Sequence, residues 1–164
     1  MVHDPMVESE PLELEQSCKE LRRHAIMLLT RREHSAQELS QKLIVKGYDA
    51  GLMPSLLQNL MQEGLQSDSR FAESYMRFRR EKGFGPIHIQ QELQQRGVSA
   101  DVISAIVDVR DTKWLEYLES ARKKRFGQEL PQNLKDRAKQ TRFLAYRGFS
   151  QDQISGVFSD DWEF

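Results

Sequence analysis

Arginine and lysine carry the most evident chemistry in this chain. They gather in four interior clusters: Arg22, Arg23, Arg31 and Arg32; Arg70, Arg77, Arg79, Arg80 and Lys82; Arg122, Lys123, Lys124 and Arg125; and Lys135, Arg137, Lys139, Arg142 and Arg147. Cations repeated at helical spacing can pair with successive phosphates. Tyr75, Phe78, Phe84 and Tyr146, interleaved with them, could stack on bases. Any one cluster also fits a solvated helix face, and aromatics at helical spacing more often belong to a core. The set together says more. The formal net charge is only -1, because residues 1–16 hold Asp4, Glu8, Glu10, Glu13 and Glu15 with no lysine or arginine, and Asp160, Asp161 and Glu163 acidify the other end. A basic body between acidic ends suits a polyanionic partner. Arg77, Arg80 and Lys82 fall near one face, and Arg122 and Arg125 lie one turn apart, so repeated units could align them into a stripe. The candidate partner- or DNA-binding residues are Arg70, Arg77, Arg79, Arg80, Lys82, Arg96, Lys123, Lys124, Arg125 and Arg147. Arg70 has a structural alternative, since an arginine opening a helix beside Phe71 can tie two repeats together.

Catalytic chemistry finds no comparable support. No Walker-type glycine loop is present, and Gly83 with Gly85 reads as a short turn before Pro86. His3, His24, His34 and His88 have no metal-ligand spacing among themselves or with Cys18. His34, beside Ser35, reads as part of a helix junction. Glu92 and Glu119 have basic neighbours at helical spacing, so surface pairing is the economical reading. The expectation is a protein that is not an enzyme and holds neither metal nor cofactor.

The elements that position these side chains follow from one phrase written three times: Leu43 to Gly47 with Tyr48 and Asp49, Leu93 to Gly97 with Val98 and Ser99, and Leu144 to Gly148 with Phe149 and Ser150. Each glycine reads as a helix stop, where the chain turns left-handed. Asp49, Ser99 and Ser150 read as caps of the next helix. The stripes that follow are Met53, Leu56 and Leu57; Ile103, Ile106 and Val107; and Ile154, Val157 and Phe158. Twelve residues before each glycine stand Ser35, Gly85 and Asp136 as N-cap candidates, Ser35 forming a capping box with Glu38 and Pro86 suiting a first helical position. A further apolar stretch lies ahead of each middle helix, within its unit: Leu21, Ala25, Ile26, Leu28 and Leu29; Phe71, Tyr75 and Phe78; Trp114, Leu115 and Leu118. Pro54 implies either a kink or a late helix start.

The expected fold is therefore all-α, an elongated tandem array of three three-helix repeats at 17–66, 67–110 and 111–164, with residues 1–16 disordered. Leu43, Leu93 and Leu144 are expected in the core, and the third repeat carries a longer connection from Phe126 to Pro131. Trp162 and Phe164 are expected to dock on the third repeat. An apolar fraction of 38% and a charged fraction of 30% suit a thin stack better than one thick core. No apolar run reaches a membrane span, and no secretory signal opens the chain. Cys18 is alone. These features suggest a cytoplasmic protein, expected to be a monomer.

Arg31-Arg32-Glu33-His34-Ser35 followed by Glu38-Leu39 and Lys42-Leu43 resembles the opening of the RecX family, regulators of the bacterial RecA recombinase. Ser67-Asp68-Ser69-Arg70-Phe71-Ala72, Lys82-Gly83-Phe84-Gly85-Pro86 and Ile89 to Gly97 are similar to that family's most distinctive stretch. Arg142 to Phe149 resembles its third-unit signature, and the likeness runs from about residue 20 to residue 158. The resemblance implies a modular helical protein, not an enzyme, that binds RecA and its nucleoprotein filament. Such a protein limits filament growth and restrains ATP hydrolysis, strand exchange and coprotease activity, with weak nonspecific DNA binding. The competing expectation is a helix-turn-helix-like DNA-binding module acting independently of RecA.

Overall fold

The computed structural model describes residues 9–158; Trp162, Phe164 and the acidic C-terminal residues lie outside the described residues. The described residues form α-helices joined by turns and loops, without a strand: α1 (Ser9–Arg31), α2 (Ala36–Val45), α3 (Met53–Gln62), α4 (Asp68–Glu81), α5 (Pro86–Gln95), α6 (Ala100–Ile106), α7 (Trp114–Phe126), α8 (Leu134–Tyr146) and α9 (Gln151–Phe158). One turn of 3₁₀ helix, Ala50–Leu52, precedes α3. The chain divides into two compact units, Met1–Phe71 and Ala72–Phe164, with α4 crossing the border.

The repeated phrase is a Schellman motif, in which an amide beyond the glycine returns to a carbonyl in the last helical turn. Tyr48 N donates to Leu43 O at 3.2 Å, Val98 N to Leu93 O at 3.1 Å and Phe149 N to Leu144 O at 3.2 Å. Gly47, Gly97 and Gly148 have φ of 111°, 78° and 95°. Leu43, Leu93 and Leu144 are fully buried. The leucine and the residue after the glycine thus close both the hydrogen bond and the apolar contact of the stop. Asp49 caps the 3₁₀ turn, Ser99 caps α6, and the Ser150 hydroxyl accepts from Gln153 N. Pro54 causes no kink, because the 3₁₀ turn delays α3 and leaves the proline in its first turn, where its missing amide has no partner to lose.

In the first unit, Leu21, Ala25, Leu39, Leu43, Met53, Leu56 and Leu60 form one core. The α1–α2 junction is tied internally. Buried His34 shares hydrogen bonds with Arg32 O at 3.0 Å and Lys42 Nζ at 3.0 Å, and its carbonyl accepts from Gln66 Nε2 at 3.2 Å. Asp68 Oδ1, in the first turn of α4, accepts from Ala36 N at 2.9 Å and so satisfies an amide that opens α2. His24 Nδ1 and the Tyr48 hydroxyl also hydrogen-bond.

Three expectations need correction. Residues 9–16, expected to be disordered, instead form the opening turns of α1, where Leu12 and Leu14 are exposed. Good helix formers and a Lys19–Glu15 pair at 2.8 Å support that extension. The cap of α8 is Asn133, not Asp136: Asn133 Oδ1 accepts from Asp136 N at 2.8 Å, and Asn133 Nδ2 donates to Asp136 Oδ2 at 2.9 Å. The added turn starts α8 earlier than its counterparts. Arg122, expected beside Arg125 on the surface, is 1% exposed. It follows Trp114, Leu118 and Ala121 on the buried face of α7, donates twice to Glu119 (2.9 and 3.1 Å), and reaches Gln128 O at 3.2 Å and Glu129 O at 3.0 Å. One buried guanidinium fixes the long connection. Within the apolar stretches ahead of the middle helices, Phe78 and Leu115 are exposed.

In the second unit, α7 packs on α8 and α9, and α5 packs on α6. Backbone meets backbone between repeats. Gly85 N donates to Arg147 O at 2.7 Å and Ile87 N to Gly148 O at 3.0 Å, so the amides opening α5 satisfy carbonyls closing α8. A Cβ on Gly148 would lie 2.3 Å from His88 Cβ, and one on Gly85 would lie 2.5 Å from the Gly148 carbonyl carbon. Only glycine fits at either side.

Candidate partner-binding surface

The end of α4, the outer face of α7 and the last turn of α8 enclose a groove of about 450 Å³ in the second unit. Arg80 and Lys82 enter it from the first, Lys124 and Arg125 from the second, and Arg147 from the third; among the described residues Glu81 is its single carboxylate. Tyr117 and Phe143 supply aromatic wall. The Arg80 guanidinium lies 4.8 Å from the Tyr117 ring centre. Arg147 lies 4.7 Å from the ring centre of Phe84 and 5.0 Å from that of Phe143, while its Nη1 donates to Lys82 O at 3.1 Å. Stacked this way, two guanidiniums are ordered before any partner arrives. Among the described residues, none of the five cations has a carboxylate partner within ion-pair distance.

The other expected residues stand elsewhere. Arg79 is half-buried and makes a two-pronged pair with Glu92 at 2.8 and 2.7 Å while covering Phe84 at 3.7 Å. Arg96 covers Tyr75 at 4.6 Å and donates to Glu92 O at 3.1 Å. Glu92 also faces His88 Nε2 at 3.2 Å. Burial foremost, then a hydrogen bond to Glu92 and that carboxylate's charge, push the Tyr75 hydroxyl up to about 12. Lys123 lies 3.4 Å from Glu119, whose pKa is lowered chiefly by its hydrogen bonds to Arg122 despite the opposing effect of burial. Arg70 Nε donates to Glu33 at 2.9 Å within the first unit. Arg77 is exposed and has no ion pair among the described residues. The groove therefore gathers five of the ten candidates: Arg80, Lys82, Lys124, Arg125 and Arg147.

Sequence reasoning missed Tyr117, Ser120 and Phe143, which also line the groove. A signal existed, because Tyr117, Ser120 and Lys124 follow one another at three and four residues and so share a face of α7. Nothing local linked that face to the end of α4. Phe78 and Tyr146 are 53% and 81% exposed, whereas Tyr75 and Phe84 lie half-buried beneath arginines. The interleaved aromatics thus divide between surface and support.

Comparison with known proteins bears on all three repeats. Residues 22–52 match the family model for RecX, first three-helix domain; residues 67–106 match the second three-helix domain and residues 111–158 the third. A Regulatory protein RecX from Halorhodospira halophila is 42% identical over 130 residues, covering 79% of this chain and 81% of that protein. One from Legionella pneumophila is 40% identical over 136 residues, covering 83% and 91%. The crystal structure of RecX from Lactobacillus salivarius superposes with a TM-score of 0.73 at 19% identity, covering 89% of this chain and 97% of that one, and shares the fold. Three domain matches in order and relatives at this identity over most of both chains show that the chain belongs to the RecX family of regulatory proteins.

Proposed function

We propose that this protein is a negative modulator of the RecA recombinase, binding RecA and its nucleoprotein filament. It limits filament growth and inhibits ATP hydrolysis, strand exchange and coprotease activity. It acts in the cytoplasm as a monomer, with weak nonspecific affinity for DNA. The observation that carries the reading is the groove of uncompensated cations in the second unit of a RecX-family chain. Filament contacts spread over several repeats would combine modest local affinities into avidity. Arg80, Lys82, Lys124, Arg125 and Arg147, with exposed Arg77 beside them in sequence, are the residues assigned to the polyanionic side of that contact.

The decisive measurement is RecA-dependent ATP hydrolysis on single-stranded DNA with rising amounts of this protein. Dose-dependent inhibition supports the proposal, and a flat response at every excess refutes it. Pulldown with RecA filaments beside bare duplexes separates filament binding from a RecA-independent DNA reader. Preference for filament supports modulation, whereas strong discrimination between duplex sequences supports the reader.

A further inference from the structure

Eight cations of the second unit have two contrasting surroundings. On one side Arg79 pairs with Glu92, and Arg122 and Lys123 share Glu119. On the other side five cations share one groove with the single carboxylate Glu81. The last turns of α4, α7 and α8 approach this groove, and each helix end contributes about half a negative charge. Even with all three counted, an excess of about two to three positive charges remains. Arg80 Nε adds an independent sign: it is buried and has no hydrogen-bond partner. A buried N–H without a partner is unfavourable, and it belongs to a residue that lines the groove. At about 450 Å³, the concavity lies within the usual range for small-molecule sites, roughly 300 to 1,000 Å³.

The geometry points to a discrete site for the phosphate chain of a free nucleoside triphosphate between the end of α4 and helices α7 and α8. The inference rests on the reading of this face as polyanion-binding and goes beyond it, because it assigns one saturable, concave site rather than a diffuse charged surface. Arg80 and Arg147, held by ring stacking, supply planar donors for phosphate oxygens, and Lys124 and Arg125 add mobile charge at the rim. Tyr117 and Phe143 leave apolar wall for the nucleoside. A nucleic-acid strand end presents the same phosphate chemistry, so the test includes both sources. Occupation by a free nucleotide would compete with nucleic acid for this face, making engagement of polyanions sensitive to nucleotide concentration.

Calorimetric titration of the full chain, without RecA, tests the site using ATP, inorganic triphosphate, and a 12-nucleotide single strand with or without a 5′-phosphate. The expected result is one ATP per chain, displaced equally well by the two oligonucleotides. Binding should weaken at least tenfold in K124Q/R125Q and less than twofold in K135Q/R142Q, which removes the same charge elsewhere on the unit. Both variants alter exposed side chains, and unchanged helicity and melting verify their folding. Absence of saturable ATP binding, or equal weakening in both variants, overturns the proposal. A tenfold preference for the 5′-phosphorylated strand over ATP would overturn the assignment to free nucleotide and give the groove to strand ends. RecA inhibition is measured separately, so retained inhibition without ATP binding rejects this site alone, while ATP binding without inhibition rejects the regulatory reading alone.

Discussion

Gly47 and Gly148 occupy the same place in the repeated phrase, yet substitution by alanine should affect them very differently. Both have positive φ, 111° and 95°, and forcing a side chain into such a conformation costs about 1–3 kcal/mol. Around Gly47 nothing lies within 4 Å of the added Cβ, so G47A should show that strain and little more. At Gly148 the new atom would lie 2.3 Å from His88 Cβ and 2.5 Å from His88 N. Relieving the overlap means moving α5 away from the end of α8, which adds roughly 1–3 kcal/mol of overpacking. It also strains the Gly85 N–Arg147 O and Ile87 N–Gly148 O hydrogen bonds, each contributing about 0.5–1.5 kcal/mol. The total for G148A is about 3–9 kcal/mol. Urea denaturation followed by circular dichroism measures the two losses, and amide hydrogen exchange locates them. G148A should lose protection at the Gly85 and Ile87 amides while G47A leaves them protected. Equal destabilisation by the two substitutions, or unchanged exchange at Gly85 and Ile87 in G148A, would refute the close backbone junction between the second and third repeats.

Arg122→Met should destabilise the second unit by about 3–5 kcal/mol, because it leaves Glu119 and the carbonyls of Gln128 and Glu129 without their shared donor; denaturation no different from wild type would show that the connection does not depend on this residue. Asn133→Ala should cost about 0.5–2 kcal/mol through loss of the α8 cap, with Asp136→Ala less damaging, and thermal melting of the pair checks which residue starts the helix. His34 gives a pH prediction with a definite sign. Burial foremost lowers its folded pKa below the ordinary 6.5, so its contribution is present above pH 6.5 and declines as pH falls from there toward the folded value, where the unfolded chain takes up the proton first. Melting at pH 7.5 and pH 5.5 should therefore show a loss in wild type that is smaller in His34→Gln; identical slopes would contradict the neutral, buried imidazole.

How much was legible in the sequence depended on the range of the forces involved. The Leu-x-x-x-Gly phrase could be read because a Schellman stop is closed within six residues: Leu43, Gly47 and Tyr48 contain both its hydrogen bond and its apolar contact. Ser99 and Ser150 were readable for the same reason. The cap of α8 was displaced because the long connection after Phe126 allows an extra turn, so counting twelve residues back from Gly148 reached Asp136 rather than Asn133. Arg122 was placed with its cationic neighbours although it stands four residues after Leu118, on the stripe begun by Trp114. Its periodicity was visible; the carbonyls that permit a buried guanidinium were not. Phe78 and Leu115 show the opposite case, in which an apolar residue near a core stripe faces outward. The groove depended on the end of α4 meeting α7 and α8, a pairing created by tertiary packing and absent from any local pattern.

That distinction explains why ten cations of similar type divide by environment. Glu92, on α5, holds Arg79 by two hydrogen bonds, accepts Arg96 on its backbone and faces His88, so the charges around it brace the second repeat. Glu119, on α7, holds Arg122 inward and leaves Lys123 beside it. These two carboxylates compensate the cations that build the unit. Arg80, Lys82, Lys124, Arg125 and Arg147 are not compensated in this way, and Glu81 cannot balance five charges in one groove. Mutual repulsion in that concavity opposes folding, whereas an anionic partner would relieve it and gain from the two stacked guanidiniums already in place. A carboxylate introduced at Ser120, on the groove wall, should accordingly raise the melting temperature in low salt while weakening polyanion binding, and the stabilisation should shrink as salt screens the charges. If Ser120→Asp neither stabilises the fold in low salt nor weakens binding, the five cations do not act as one electrostatic site.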